Sequence, residues 1–385
     1  MTGPRPDSEP WPRTCNAIVA DGQGGFALSH VQMARPEGRE VVVRIMAAGL
    51  CHTDVDAIRT WKGPFIVGHE GAGVVEAVGA AATRLRVGDR VVLNWAIPCR
   101  ACAMCERGLM PLCEVSSPAN GDGRSGKPRA TAVRYRGGPV QSAFNLGTMA
   151  EFAMVVEDAC QPLFDQVPFE AGAIMGCAVM TGFGSVMNAA RVPPRASVAV
   201  LGCGGIGLNV IQTALIAGAD RIVAIDIAED RLARARAFGA THTLLNDPAQ
   251  PDLSRLGERL NAVIPGRADF AFECTGVPAL ASAPLALVRH GGTAVQVSGV
   301  EQTVPFDCTL FEWDKTYINP LYGQCDPDRD FPLLQHHYLS GALALDQMIS
   351  RAYPLAGLGA AIDDLAAGRI AKAVLYPHVG EGRAA

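Results

Sequence analysis

The sequence has no excess of one charge sign and no long apolar run, and each shortage excludes a class of protein. Charged residues make up 18% of the 385 residues and the formal net charge is -5. A strongly basic surface, which nucleic acid or an anionic membrane would attract, is therefore excluded. No run of about 18 uninterrupted apolar residues is present, which a membrane-spanning helix would need. We expect neither nucleic acid nor a membrane as a partner.

The first 14 residues, MTGPRPDSEPWPRT, carry prolines and charges where a secretory signal would need an apolar segment. We expect a loose leader here and a cytoplasmic protein. In a reducing compartment the 12 cysteines favour metal binding over disulfides, if they lie at short spacing. The length of 385 residues predicts two domains, each with its own core.

The first part of the chain has the pattern of a β domain. Short β-branched runs such as 41–46 and 73–79 alternate with glycine turns, and no long amphipathic helix is evident before about residue 165. The Gly/Arg/Pro-rich stretch 120–139 is interpreted as an exposed loop.

From Ser197 onward short apolar strands alternate with helical patterns, which predicts a parallel sheet. Helices are expected over 205–217 and 228–238, and a short one over 331–343. The arginines of the second helix, apart from Arg231, fit a solvated face.

The segment 200–226, VLGCGGIGLNVIQTALIAGADRIVAID, contains a strand, a glycine turn, a helix, a second strand and a terminal acid. Its glycines allow a tight turn and close approach to a pyrophosphate, while the helix directs free amide groups at that anion. Asp226 is placed to accept a hydrogen bond from a ribose hydroxyl. Glycine turns alone are common, but the full context indicates a dinucleotide site.

Four cysteines occur as C-x2-C-x2-C-x7-C in the segment PCRACAMCERGLMPLCE: Cys99, Cys102, Cys105 and Cys113. Four thiolates this close can surround one Zn²⁺ and leave no position for water, which is typical of a structural site. The alternatives are four unrelated buried thiols or an iron-sulfur cluster. Isolated thiols have no reason to keep this spacing, and ferredoxin spacings differ.

Cys51 and His69, from GLCHTD and GHEGAG, could form two arms of a second metal site. Taken singly, His69 could equally be a hydrogen-bonded core residue and Cys51 an inert buried thiol. Cys177 is the best-placed candidate for a third ligand.

Taken together, these motifs resemble the zinc-dependent alcohol dehydrogenases of the medium-chain dehydrogenase/reductase superfamily. The matching segments run from about residue 15 to 376 and include GLCHTD, GHEGAGVVEAVG, GDRVV, GCAVMTGFGSV and AAGRIAKAVL. The resemblance implies an α/β fold, with a Rossmann doubly wound parallel sheet domain inserted into a largely β GroES-like catalytic domain. The expected bounds are 1–178 and 321–385 for the catalytic domain, 179–320 for the Rossmann domain, and about 97–115 for the zinc lobe.

The same resemblance assigns Cys51, His69 and Cys177 to a catalytic zinc, so that with the lobe two Zn²⁺ are expected per chain. It gives Thr53 the task of taking the alcohol proton and Asp54 that of orienting His69. Glu70 would modulate the zinc, although a plain structural hydrogen bond is an equal alternative.

The resemblance also implies cofactor-binding residues, which are His52, Thr181, Gly202, Gly204, Gly205, Ile206, Gly207, Asp226, Arg231 and Lys372. Lys372 stands where some relatives place an arginine on the pyrophosphate, and lysine keeps the charge without the bidentate fork. Asp56 replaces a relay histidine found in some relatives, which puts the proton path beyond Thr53 in question. Asp226 would repel a 2′-phosphate, which favours NAD over NADP, although Arg231 lies nearby.

The expected reaction is reversible oxidation of a small-molecule alcohol to an aldehyde or ketone. Trp95 and Asn145 suggest a bulky apolar or aromatic substrate, although either residue could equally serve plain packing. One alternative is a thiol-dependent formaldehyde dehydrogenase. The segment 57–67 argues against it, because it is shorter than in the glutathione-using relatives. A non-catalytic binding or structural member of the superfamily is another, against which the complete ligand set and dinucleotide motif argue. Homo-oligomers, dimers before tetramers, are expected from the family.

Overall fold

The computed structural model describes residues 10–117, 127–247, 253–300 and 302–378. Most of the predicted leader (1–9) and part of the predicted loop (120–126) lie outside these residues. The leader prediction is wrong from Arg13, where a strand begins. The loop prediction is wrong at 133–139, because Arg136 and Gly137, with φ of 49° and 80°, form a two-residue turn between two short paired strands.

The strands of the described residues are β1 (Arg13–Ala20), β2 (Phe26–Met33), β3 (Glu40–Leu50), β4 (Phe65–Ile66), β5 (Glu70–Val78), β6 (Arg90–Leu93), β7 (Val133–Tyr135), β8 (Gly138–Pro139), β9 (Gln141–Ser142), β10 (Phe152–Val156), β11 (Cys160–Pro162), β12 (Ser197–Leu201), β13 (Arg221–Asp226), β14 (His242–Leu245), β15 (Ala268–Glu273), β16 (Val288–Gln296), β17 (Thr316–Ile318), β18 (Ile349–Pro354) and β19 (Lys372–Tyr376).

The α-helices of the same residues are α1 (His52–Thr60), α2 (Ala103–Glu106), α3 (Phe169–Ile174), α4 (Met180–Gly184), α5 (Gly205–Ile216), α6 (Glu229–Ala237), α7 (Leu253–Val263), α8 (Ala283–Leu287), α9 (Pro327–Leu339), α10 (Leu345–Met348) and α11 (Leu358–Ala366). Two π-helical turns, Met175–Val179 and Ser185–Ala189, follow α3 and α4.

The chain forms two compact units, one from 1–177, 326–339 and 345–385 and the other from 178–325 and 340–344. We call them the catalytic unit and the cofactor unit. The predicted division did not assign 340–344 to the second unit; there the backbone amide of Ala344 donates to Gln212 of α5 at 2.6 Å.

The catalytic unit contains two sheets. One has the order β8-β7-β2-β1-β4-β9, and the other β11-β6-β5-β3-β19-β18 with β10 also paired to β3. β3 lies in the middle of the second sheet, and its sequence EVVVRIMAAGL is buried almost throughout, as expected for a strand covered on both faces. The strand pattern predicted for 41–46 and 73–79 is therefore present in β3 and β5.

The cofactor unit contains one parallel sheet in the order β14-β13-β12-β15-β16-β17. This is the 3-2-1-4-5-6 order of a Rossmann fold. Its core consists of apolar strand residues and of one face of α7 and α8. The carboxyl end of β12 leads through the glycine turn into α5, and the end of β13 carries Asp226.

One helical stretch of the described residues, 169–189, is long and apolar enough to span a membrane by length and composition. Of its most apolar window, 83% is buried inside the protein. Glu170 and Asn188 interrupt it near its two ends, and a buried core helix has the same composition.

Candidate active site

Four potential metal ligands of the catalytic unit converge from three separate segments of the chain. Their ligand atoms all lie within 4.8 Å of one another, and they belong to Cys51, His69, Glu70 and Cys177. Cys51 directly precedes α1, His69 and Glu70 lie at the start of β5, and Cys177 lies in a π-helical turn. The candidates predicted from sequence are thus brought together, with Glu70 beside them.

Asp54 connects two of these segments through its carboxylate. One oxygen accepts a hydrogen bond from the backbone amide of Cys51 at 3.0 Å, and the other lies 2.7 Å from Nδ1 of His69. Such a partner fixes the ring of a metal-binding histidine and leaves Nε2 for the ligand. Asp54 therefore lies where the predicted task of orienting His69 requires it.

The thiols of Cys51 and Cys177 shift each other's pKa in opposite directions. Their mutual hydrogen bond is the largest cause that lowers the pKa of Cys51 well below its usual range and raises that of Cys177 well above it. Burial opposes the charged form of His69, but the charge and hydrogen bond of Asp54 more than offset it and hold the pKa of His69 well above its usual value. A divalent cation would replace these protons, because metal ligands bind deprotonated.

A buried ion pair lies at the edge of this cluster. Nζ of Lys372 donates to Oε1 of Glu70 at 2.5 Å, and both side chains are almost fully buried. Glu70 is on β5 and Lys372 on β19, the two strands that flank β3. The pair crosses over Gly49 of β3, where a Cβ atom would stand 2.0 Å from the other Glu70 oxygen, Oε2. Any larger residue at 49 would force the Glu70 side chain to shift.

The donor set of the cluster fits zinc. Two sulfur atoms and an imidazole nitrogen are ligands that Zn²⁺ prefers. Oε2 of Glu70 is buried without a hydrogen-bond partner, so a polar atom faces the same space. Burial raises the pKa of Glu70 to about 7 although the Lys372 charge opposes the shift. A cation held by Cys51, His69 and Cys177 would compensate that buried oxygen.

The four lobe cysteines form the second cluster of the catalytic unit. Their sulfur atoms lie within 4.8 Å of one another, on and around α2. Cys99 and Cys105 approach to 4.0 Å, as do Cys102 and Cys113, so none is bonded as a disulfide. Four sulfurs at this spacing fit a closed tetrahedral zinc site.

Hydrogen bonds to sulfur prepare the lobe for a cation. The backbone amide of Cys99 and the hydroxyl of Ser116 both donate to Sγ of Cys113, at 3.3 Å and 3.2 Å. Burial works against the thiolate there, but these donors outweigh it and lower the pKa of Cys113 to about 6. Backbone amides of Cys105 and Glu114 lower the pKa of Cys102 in the same way.

The glycine turn of the cofactor unit has the geometry of a dinucleotide-binding turn. A Cβ atom at Gly207 would stand 1.9 Å from the carbonyl oxygen of Gly202, so the tight turn requires glycine there. Gly204 faces open space, because nothing lies within 4 Å of a Cβ atom built on it. α5 begins at the next residue and directs its free amide groups at that space.

Asp226 is almost completely buried at the end of β13. Its carboxylate accepts hydrogen bonds from the backbone amides of Cys203 at 2.7 Å and of Ile227 at 2.8 Å. Arg231 lies 3.6 Å away. The carboxylate thus fastens the glycine turn to β13, a contact that the sequence pattern did not predict.

Comparisons with known proteins agree with this geometry. Family models described as "Alcohol dehydrogenase GroES-like domain" and "Zinc-binding dehydrogenase" match residues 37–165 and 205–324. A "Probable S-(hydroxymethyl)glutathione dehydrogenase 1" from Schizosaccharomyces pombe is 30% identical over 374 residues, covering 94% of this chain and 97% of the relative. This chain belongs to the zinc-dependent alcohol dehydrogenases. The predicted family, fold class and zinc and nicotinamide cofactor types are confirmed.

Other alcohol dehydrogenases show the same likeness. An "Alcohol dehydrogenase class-3" from Myxine glutinosa is 29% identical over 94% of this chain and 97% of its own. The crystal structure of an alcohol dehydrogenase zinc-binding domain protein from Burkholderia ambifaria superposes with a TM-score of 0.86 at 31% identity, over 95% of this chain and 100% of that one. Benzyl alcohol dehydrogenase from Acinetobacter calcoaceticus gives a TM-score of 0.83 at 28% identity, over 94% and 99%.

The remaining site residues predicted for this dehydrogenase lie in both units. In the catalytic unit, His52 and Thr53 are exposed at the start of α1, with the Thr53 hydroxyl 3.6 Å from Sγ of Cys51. Asp56 is exposed on the same helix. In the cofactor unit, Thr181 is buried in α4. The individual roles of these residues stay predictions.

An aromatic group beside His69 was only partly found from sequence. The ring of Phe144 lies 4.9 Å from that of His69, 5.3 Å from Trp61 and 5.6 Å from Trp95. Trp95 was predicted, whereas Phe144 and Trp61 were missed. Phe144 has φ of 51°, uncommon for a bulky residue, and no sequence pattern signals that backbone conformation. Asn145 follows it, half-buried.

Proposed function

We propose that this dehydrogenase reversibly oxidises alcohols with an aromatic or bulky apolar group, using NAD. The observation that carries the proposal is the aromatic group of Phe144, Trp61 and Trp95 beside the metal-ligand candidate His69. Aromatic rings pack best against other rings and apolar surfaces. A substrate whose hydroxyl is directed at the metal would place its apolar part against this aromatic group.

The chain's own groups would hold the reactants. Cys51, His69 and Cys177 would hold the zinc, which when bound supplies Lewis acidity toward a substrate oxygen, while the nicotinamide supplies the hydride acceptor. Asp54 keeps the His69 ring in place through Nδ1. Thr53 Oγ1 would accept the alcohol proton and pass it outward, because its side chain is exposed at the start of α1.

The test compares two substrates in the variant Phe144→Ala. Removing the ring takes away packing surface for a benzyl-type alcohol, so we expect its kcat/KM to fall about tenfold or more, with little change for a two-carbon alcohol. Phe311→Ala, at an exposed phenylalanine of the cofactor unit, is the matched control. Equal losses on both alcohols would contradict the aromatic preference.

NAD is proposed over NADP because of the buried Asp226 carboxylate, which would repel a 2′-phosphate. Arg231, 3.6 Å away, offsets part of that charge. We expect Asp226→Ser to raise the NADP to NAD ratio of kcat/KM about tenfold, with Arg231→Gln as the control that lowers it. Unchanged NAD selectivity in Asp226→Ser would refute the assignment.

A thiol-dependent formaldehyde dehydrogenase is the second candidate, supported by the likeness to the S-(hydroxymethyl)glutathione dehydrogenase of Schizosaccharomyces pombe. The aromatic group offers no partner for the charged groups of a glutathione adduct. An alcohol and aldehyde screen with NAD and NADP, run with and without added glutathione, separates the two. Strict dependence of formaldehyde oxidation on glutathione would establish the second candidate.

A non-catalytic role is a further alternative. A homodimeric assembly and a cytoplasmic location are further proposals. Catalysis is proposed over a binding role because both ligand clusters and the glycine turn are complete. NADH formation, measured at zinc contents near two per chain, tests whether the protein is catalytic. Light scattering during size-exclusion chromatography tests the dimer. Fractionation of the source cells tests the location.

A further inference from the structure

A cleft of about 590 Å³ opens in the cofactor unit at the amino ends of the parallel strands. Four arginines and two aspartates line it: Arg195, Arg221, Arg267, Arg289, Asp220 and Asp269. The glycine turn follows the opposite, carboxyl end of β12. Five residues of strand separate the two ends, about 17 Å at the usual rise per residue, so the cleft is distinct from the dinucleotide turn.

The four arginines form a row across the sheet. β13, β12, β15 and β16 are neighbours in that order, and each has one arginine at or just before its amino end. Arg221 opens β13, Arg289 is the second residue of β16, Arg267 directly precedes β15 and Arg195 lies two residues before β12. Neighbouring strands lie about 5 Å apart, so the four arginines start from adjacent positions along this edge of the sheet.

Two of these arginines are paired and two are not. Arg195 lies 3.7 Å from Asp220, and Arg289 is paired with Asp269. Asp269 also accepts hydrogen bonds from the amide and hydroxyl of Ser197, both at 2.7 Å. Within the part of the chain that the structure describes, Arg221 and Arg267 have no carboxylate at ion-pair distance. The cleft therefore carries an excess of two positive charges.

The backbone at the cleft adds a second observation. Arg195 and Arg267 have φ of 69° and 68°, in the left-handed region that favours glycine. A bulky residue is strained there, and such positions cluster at ligand sites. Both residues sit in the turns that lead into adjacent strands, β12 and β15. Both residues line the cleft, and the guanidinium of Arg267 lies against Gly257 of α7.

We propose that this cleft binds a compact oligophosphate anion. Guanidinium groups bind phosphate oxygens through paired hydrogen bonds, and a row of them matches an anion with several phosphates. The cleft has no aromatic lining residue on which a nucleobase could stack. Its volume lies in the range of small-ligand pockets. The occupant is therefore an oligophosphate without a base, and the proposal is independent of the alcohol dehydrogenase reaction.

The experiment is calorimetric titration of the full, zinc-loaded chain with tripolyphosphate, in the presence of saturating NADH. NADH occupies the dinucleotide site, so the remaining binding reports another site. Arg221→Gln combined with Arg267→Gln removes the two unpaired charges, and we expect at least tenfold weaker binding. Arg59→Gln combined with Arg86→Gln removes two exposed arginines of the catalytic unit and is the matched control, with an expected change below twofold.

Three outcomes would overturn the proposal: loss of all tripolyphosphate binding when NADH is added, equal affinity in the Arg221 and Arg267 double variant, or tighter binding of ATP than of tripolyphosphate. The second outcome also detects chelation of zinc by the titrant, because the double variant keeps all zinc ligands. If the double variant fails to fold, Arg221→Lys and Arg221→Gln are compared singly, and Arg221→Gln is expected to weaken binding more than Arg221→Lys, which keeps the charge and loses the paired hydrogen bonds.

Discussion

The two metal-ligand clusters of the catalytic unit are built in opposite ways. The lobe takes Cys99, Cys102, Cys105 and Cys113 from one short segment around α2, and backbone amides point at its sulfurs. The other cluster takes Cys51, His69 and Cys177 from distant segments. It is surrounded by charged side chains, Asp54, Glu70 and Lys372.

This difference separates a site that stabilises from a site that reacts. Backbone donors and four sulfurs leave no side chain of the lobe free for chemistry. In the other cluster each ligand has a charged neighbour that can adjust its position or its charge. We therefore expect substitutions in the two clusters to affect different measurements.

Cys177→Ser is expected to have the largest effect. Losing a sulfur ligand should lower turnover on the order of 10³-fold, since the metal chemistry depends on it. The thermal midpoint should change little, because Cys177 is half-buried and serine nearly preserves its shape. Steady-state kinetics and zinc content per chain check this. Turnover within tenfold of the parent would remove Cys177 from the catalytic cluster.

Lys372→Met should destabilise the catalytic unit rather than only weaken cofactor binding. It would leave the Glu70 carboxylate buried without its counter-charge, a loss of about 3 kcal/mol or more. The thermal midpoint should fall by roughly 6 °C or more. Lys372→Arg keeps the charge and is the matched control. A parent-like midpoint in Lys372→Met, with weaker NAD binding, would favour the pyrophosphate assignment instead.

Asp54→Asn tests the carboxylate that joins two segments of the catalytic cluster. The amide keeps an acceptor for the Cys51 amide but loses the negative charge beside His69. We expect kcat/KM and zinc affinity at this cluster to fall 10- to 100-fold, about the usual loss for such partners. The lobe should keep its zinc, which a chelator titration that resolves the two ions would show.

Cys105→Ser should have the smallest effect on turnover, within about threefold, because the lobe holds no reacting group. Its zinc should be lost, since a structural site needs all four ligands, and limited proteolysis should cut within 97–117. Loss of turnover as large as in Cys177→Ser would abolish the distinction between the clusters.

Local patterns could be predicted and distant contacts could not. The lobe follows from spacing alone, because its four cysteines lie in one segment. The parallel sheet and the glycine turn likewise follow from strand and helix periodicity. The pairing of Glu70 with Lys372 depends on β5, β3 and β19 being neighbours, which no local pattern contains.

The aromatic group shows the same limit. Phe144 reaches His69 only because its backbone adopts a left-handed conformation, and phenylalanine gives no signal for one. The cleft arginines lie at or just before the amino ends of four separate strands, so they come together only when the sheet is assembled. Sequence predicted residue types at the site, and the fold determined which of them meet.

Gly49 has a consequence for anyone who would engineer this chain. Glycine within a strand costs about 0.5–1 kcal/mol, so alanine is the usual first choice in a search for thermal robustness. At this position a methyl group would stand 2.0 Å from an oxygen of Glu70 and displace it. In a library selected for heat resistance alone, replacement of this glycine would disturb the catalytic cluster. Retention of glycine at position 49 would therefore indicate that activity was selected as well.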